Sequence, residues 1–229
     1  MWPAKEKRQN PQPWIMYAPT LPAYPDRHEK WMHQQFVDAG IAVAGIDVGE
    51  AHGSPTSQKL FTALYQELTL NHGFAKKVCL FGRSRGGLWC SSWAVNHPEK
   101  LSGFIGIYPV FDIRTYPKLS RAAPAYGLTL EQLEASLDQH NPIARMNILA
   151  KAKIPMMIIH GEIDKVVPIK ENSGTVEKLY QQAGNEDAIK LIRVADQGHN
   201  FWPGFFNNQP LVDFAIKHAK AGAEAGSGQ

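Results

Sequence analysis

The sequence predicts an α/β protein in three layers, a mostly parallel sheet of about six strands with helices on both faces. Three observations carry that expectation. Short apolar runs alternate with stretches of helical period along most of the chain, the rhythm of parallel strands joined by crossover helices. Residues 41–46, Ile-Ala-Val-Ala-Gly-Ile, are apolar at nearly every position, as in a strand covered on both faces. At 79–89, Cys-Leu-Phe-Gly-Arg-Ser-Arg-Gly-Gly-Leu-Trp, an apolar run stops at a serine held between glycines and a helical stretch begins.

In chain order, a polar, proline-bearing arm over 1–13 leads to the first strand at 14–18, which Pro19 and Pro22 break. A helix over 28–39 follows, with Trp31, Met32, Phe36 and Val37 at helical spacing and Gly40 at its end. The strand at 41–46 and a glycine-bearing loop at 47–55 precede a helix over 57–72, with Leu60, Leu64 and Leu68 on one face. Next come the strand 78–81, the helix 88–95 and a fourth strand at 103–110. The rhythm then breaks: 111–150 holds no clear strand and one helical stretch near 129–137, a polar insertion of the kind that forms a lid. It resumes with a strand at 155–159, a helix at 170–183, a strand at 188–194 and a last helix at 209–221. Residues 222–229 are small and polar and read as a frayed tail.

A chain of 229 residues with 44% hydrophobic residues fits one domain over 1–229, with 111–150 as its lid or cap insertion. The 24 basic and 21 acidic residues are interspersed without a basic stripe, which argues against a nucleic-acid partner. No apolar run is long enough to span a bilayer, and the first residues lack the apolar core of a signal peptide, so no membrane association is expected. That leaves a cytoplasmic protein, or an exported one whose signal has been removed. Cys79 and Cys90 read as small buried hydrophobes.

Ser84 is the centre of the reading. A serine hydroxyl is a weak nucleophile until the backbone pushes it toward a base, and a tight strand-to-helix turn does so only between small neighbours. Gly82 and Gly86 supply that room, and Gly-Arg-Ser-Arg-Gly satisfies the G-x-S-x-G spacing in its strand-to-helix context. The plainer alternative is a glycine-rich turn whose serine caps a helix. Two further strand ends run into polar residues at the edge where an α/β sheet places its chemistry: His160-Gly-Glu-Ile-Asp164 and Ala195-Asp-Gln-Gly-His199.

These residues resemble the α/β-hydrolase family, in which serine, acid and histidine follow one another in the order of Ser84, Asp164 and His199. The stretches around 159–168 and 197–201 are most similar to the prolyl-oligopeptidase-like and dienelactone-hydrolase-like branches. The resemblance implies a sheet of eight strands, of which the six counted here match the third to the eighth. It implies that Ser84 attacks a carbonyl, that His199 carries the proton and that Asp164 orients the imidazole. Glu162 and Asp196 are alternative acids. The implied oxyanion donors are the backbone N–H of Arg85 and one from the loop after the first strand, either Leu21 or Thr20; Pro19 has no N–H. The expected reaction is cleavage of a small-acyl or carbohydrate carboxylic ester without a cofactor or metal. A prolyl-oligopeptidase-like peptidase and a non-catalytic binding module on the same fold are the alternatives.

The arginines flanking Ser84 divide. Arg83 is expected to pair with a carboxylate beneath the turn, whereas Arg85 either touches substrate or is paired structurally. Ser-Arg-x-Gly also looks like the elbow of glucuronoyl esterases, where the arginine helps to stabilise the oxyanion. Thr20, Trp202 and Tyr108 are further candidates for substrate contact, and Trp89 and Trp93 read as core.

Overall fold

The structure is a computed structural model that describes residues 1–18 and 26–225. Its six strands are β1 (Trp14–Ala18), β2 (Ala42–Ala44), β3 (Val78–Arg83), β4 (Leu101–Ile107), β5 (Met156–Gly161) and β6 (Ile189–Val194). They form one sheet in the order β2-β1-β3-β4-β5-β6, and every neighbouring pair is parallel. The chain reverses its direction of travel across the sheet between β2 and β3, so β3 emerges at the inner position where an open α/β sheet presents its carboxyl ends to a ligand.

Strand alternation sorts the side chains into two cores. Trp14, Met16, Val78, Leu80, Phe104, Met156 and Ile158 pack on one face, against α2 (Pro55–Gln66), α3 (Arg85–Ala94), α8 (Asn147–Lys151) and α9 (Ser173–Gln182). Ile15, Tyr17, Cys79, Phe81, Ile105, Ile107, Met157 and Ile159 face the other way, onto α1 (Lys30–Asp38) and α11 (Gln209–Glu224). The three expected layers follow directly from this period of two. Cys79 and Cys90 are buried free thiols, and Trp89 and Trp93 are core residues. No helix among the described residues is long and apolar enough to cross a membrane.

Residues 111–150 depart most from their sequence reading. Instead of one helical stretch in a polar loop they form five short helices: α4 (Leu119–Tyr126), α5 (Leu130–Ala135), α6 (Leu137–His140), α7 (Pro142–Arg145) and α8. Val110, Ile113, Ala122, Ala123 and Leu133 close a third apolar cluster with Leu88 of α3 and Val167 beyond β5. Asn172 and Asn141 are buried beside it. The Asn172 side-chain oxygen accepts from the N–H groups of Phe111 and Asp112, and that of Asn141 accepts from Ile113 N–H. The turn that follows β4 is thus pinned from below by amide side chains far away in sequence. A four-residue helix α10 (Pro203–Phe206), absent from the sequence reading, buries Phe205 and Phe206.

Candidate active site

Ser84 lies between β3 and α3 with φ 50° and ψ −125°, left-handed backbone that a non-glycine residue adopts only under strain. The strain is held by hydrogen bonds: Ser84 N–H donates to Ile107 C=O at 3.0 Å, and its own C=O accepts from Gly87 and Val110 N–H, each at 2.9 Å. The glycines are obligatory for contact reasons. A Cβ at Gly86 would strike the carbonyl oxygen of Ala18, and one at Gly82 would come within 2.7 Å of Gly87 Cα.

The carboxyl ends of β5 and β6 bring the other two groups to this turn. Ser84 Oγ lies 2.8 Å from His199 Nε2, and His199 Nδ1 lies 2.7 Å from Asp164 Oδ2. Asp164 is 5% exposed, and its other oxygen accepts from the N–H groups of Val166 and Val167 at 2.9 and 2.8 Å. Burial alone would raise this carboxyl. Hydrogen bonds from His160, His199 and Val167 N–H outweigh it and hold Asp164 well below the usual carboxylate range. An ionised Asp164 accepts the Nδ1 proton of His199, which leaves Nε2 as the acceptor facing the serine hydroxyl. Of the three acids at these strand ends Asp164 is the one bonded to His199, while Glu162 and Asp196 are exposed.

His160 sits behind the acid loop, as its position beside that loop suggests. It is fully buried, with Nδ1 2.7 Å from Ser173 Oγ, Nε2 2.9 Å from Val167 C=O and Nε2 3.4 Å from Asp164. No cluster of three metal-ligating side chains occurs among the described residues.

Arg83 and Arg85 point to opposite sides. Arg83 is 3% exposed, donates to Asp26 at 2.7 Å, lies 3.4 Å from Glu29 and covers the Phe206 ring. Glu29 is fully buried, accepts from the Tyr17 hydroxyl and is pushed up to about 7, because burial exceeds the pull of Arg83 and of that hydroxyl. Beside it the fully buried His33 ring packs on Tyr17, and burial lowers it to about 3. Arg85 instead donates to the exposed Glu50 across a cavity mouth.

Arg83, Ser84, Tyr108, His199, Asn200 and Phe201 line a small hollow of about 100 Å³. Tyr108, itself at φ 35°, holds its ring 4.2 Å from that of His199. Phe201 is the aromatic residue of the 201–206 run that reaches this hollow; Trp202 is 40% exposed and packs edge-on against Phe205. The backbone N–H of Arg85 opens α3 and has no acceptor within the helix, as first-turn donors do not. Leu21 and Thr20, named for the second oxyanion donor and for substrate contact, lie outside the described residues. Sequence reasoning named Ser84, Asp164 and His199 but missed Asp26, Glu29 and Glu50, the partners of the two arginines, which no local motif marks.

Fold and site together define an α/β-hydrolase. The profile of the prolyl oligopeptidase family matches residues 57–215, which include Ser84, Asp164 and His199, and the chain belongs to that family of serine hydrolases. Solved structures agree on the fold at low identity. Carboxyl esterase 2 from Tuber melanosporum is 16% identical with a TM-score of 0.65, over 92% of this chain and 79% of its own. The monoacylglycerol lipase of Paleococcus ferrophilus is 16% identical with a TM-score of 0.61, over 92% and 96%. A putative dipeptidyl aminopeptidase IV from Bacteroides ovatus is 16% identical with a TM-score of 0.70, over 96% of this chain but 33% of its own. No curated protein sequence matches the chain significantly.

Proposed function

We propose that the chain hydrolyses carboxylic esters through an acyl-enzyme formed on Ser84. The observation that carries this reading is the continuous hydrogen-bonded line from Ser84 Oγ through His199 to Asp164. His199 Nε2 takes the hydroxyl proton as Ser84 Oγ bonds to the ester carbonyl carbon. The carbonyl oxygen becomes an oxyanion that the Arg85 N–H stabilises, with Leu21 or Thr20 as the second donor. Asp164 stabilises the imidazolium. As the C–O bond to the alcohol breaks, His199 returns the proton to the leaving oxygen. Water then attacks the acyl-enzyme by the same route, and the acid departs with Ser84 restored. Residues 111–150 serve as the lid: Tyr116 and Arg121 line cavities beside the site, and Tyr126 donates to His52 C=O at 2.9 Å.

An ester is favoured because a carboxyl esterase and a monoacylglycerol lipase are among the structures that share the fold. The family profile supports amide cleavage as the second reading. Steady-state turnover of 4-nitrophenyl esters of increasing acyl length, beside aminoacyl 4-nitroanilides, tests both. Ester turnover that falls at least about a thousandfold in Ser84→Ala is expected. Preferential turnover of the anilides would move the assignment to a peptidase, and no Ser84-dependent turnover of either would leave a binding module.

A further inference from the structure

Next to Ser84, on the side away from Arg83, the surface opens into two adjoining cavities. The nearer, of about 320 Å³, is walled by Glu50, His52 and Arg85 together with Tyr116, Pro117 and Arg121. The farther, of about 460 Å³, shares those last three residues and adds Lys118, Lys165 and Val166. The cleft therefore runs from the residue after Ser84 to the two residues after Asp164.

Its charge is one-sided. Among the described residues Glu50 is the one acid lining either cavity, and it is engaged by Arg85. Arg121, Lys118 and Lys165 are exposed and have no hydrogen-bond or ion-pair partner for their side-chain cations among the described residues. Arg121 also acts on His52 across the nearer cavity, where burial, Arg85 and Arg121 together lower the imidazole against the pull of Glu50. Three unanswered cations converging on one concavity hold a positive potential that only an incoming anion would neutralise.

The cleft is also built rather than incidental. Lys118 has φ 79° and ψ 148°, a region almost confined to glycine, and is held there by its N–H bond to Ile113 C=O. Of the six non-glycine residues with positive φ among those described, four line the Ser84 hollow or this cleft: His52, Ser84, Tyr108 and Lys118. The loop that presents Thr115 to Lys118 is anchored by Asp112, which is 2% exposed and bonded to Arg114 and Asn141.

We propose that this cleft is the acyl subsite and that it selects esters whose acyl chain ends in a carboxylate, with Arg121 as its principal partner and Lys118 and Lys165 beside it. The inference rests on the ester-hydrolase reading. His199, which protonates the leaving alcohol, borders the small hollow with Phe201 and does not border the cleft, so the alcohol occupies the hollow and the acyl chain extends past Arg85. The planar fork of Arg121 matches a carboxylate, and the lysines add point charges. The charge of Arg85 is already met by Glu50, which passes recognition to the cations farther along.

The test compares mono-4-nitrophenyl adipate with its methyl ester, equal in reach and different in one charge. The kcat/KM ratio of acid to methyl ester is expected to be about tenfold in the wild type. It should fall at least about fivefold in Arg121→Gln/Lys165→Gln and likewise when ionic strength is raised to screen exposed charges. A ratio at or below one, or one that the double variant leaves unchanged, would overturn the subsite. Equilibrium titration of Ser84→Ala with the same two esters, with and without the double substitution, reads the subsite without turnover. If neither ester is turned over, the ester-hydrolase reading fails by itself. Tighter binding of the acid that the double substitution removes then still supports the subsite, and equal binding of both esters rejects it.

Discussion

Arg83 and Arg85 stand one residue to either side of Ser84, yet they occupy opposite electrostatic worlds. Arg83 is sealed at 3% exposure between Asp26, Glu29 and the Phe206 ring, whereas Arg85 is bonded directly to an exposed Glu50 in the wall of a cavity. The turn at Ser84 produces the split. Arg83 ends β3 on the face that carries Tyr17 and Phe81, and Arg85 begins α3 after a backbone reversal at Ser84. The same guanidinium is part of the foundation on one side and part of a cavity wall on the other. Position relative to a turn, more than residue type, decides which.

That contrast can be broken by substitution. Arg83→Met leaves Asp26 and Glu29 without their cation in a buried setting and is expected to cost about 3 kcal/mol, read by urea denaturation. Adding Glu29→Gln to it should recover part of that loss, because one of the stranded acids is gone. The next effect is one of slope. Glu29 rises from an ordinary 4.5 to about 7 in the folded chain, so it takes up a proton on folding. Its contribution favours the fold fully below about 4.5 and is lost as pH rises through about 7. Stability measured from pH 4.5 to 8 should therefore decline more steeply in the wild type than in Glu29→Gln, and parallel curves would contradict a buried, raised carboxyl. Arg85→Gln is the smallest change: an exposed pair contributes at most about 1 kcal/mol, so its denaturation midpoint should stay close to that of the wild type. An Arg85→Gln loss as large as that of Arg83→Met would dissolve the distinction.

The fold was legible wherever a residue's role is decided by its near neighbours. Consecutive apolar positions marked buried strands, and Ser84, Asp164 and His199 stood out because each lies just past the carboxyl end of a strand, Ser84 at the start of a helix and the other two in loops. The strand at 41–46 was legible in place but not in extent, since only Ala42–Ala44 pairs with β1. Residues 111–150 were not legible, because helices of four to eight residues, one with Pro124 inside, are too short to display a period. They hold through Asn172 and Val167, which lie far away in sequence. Arg83's need for a carboxylate could be read from its place beside the turn, but Asp26 and Glu29 could not be singled out, because they stand 57 and 54 positions before it in the chain. The cleft cations were missed for the same reason: Lys118 and Arg121, at the start of α4, and Lys165, in the loop after β5, are brought together only by the folded sheet.

The central claim is that Ser84 is acylated. Rapid quench of the wild type with a short-chain 4-nitrophenyl ester, followed by mass spectrometry of the peptide containing Ser84, reads it directly. A mass increase equal to one acyl group on that peptide, absent from Ser84→Ala, is the expected result. Turnover with no adduct on Ser84, or an adduct that persists in Ser84→Ala, would contradict the account.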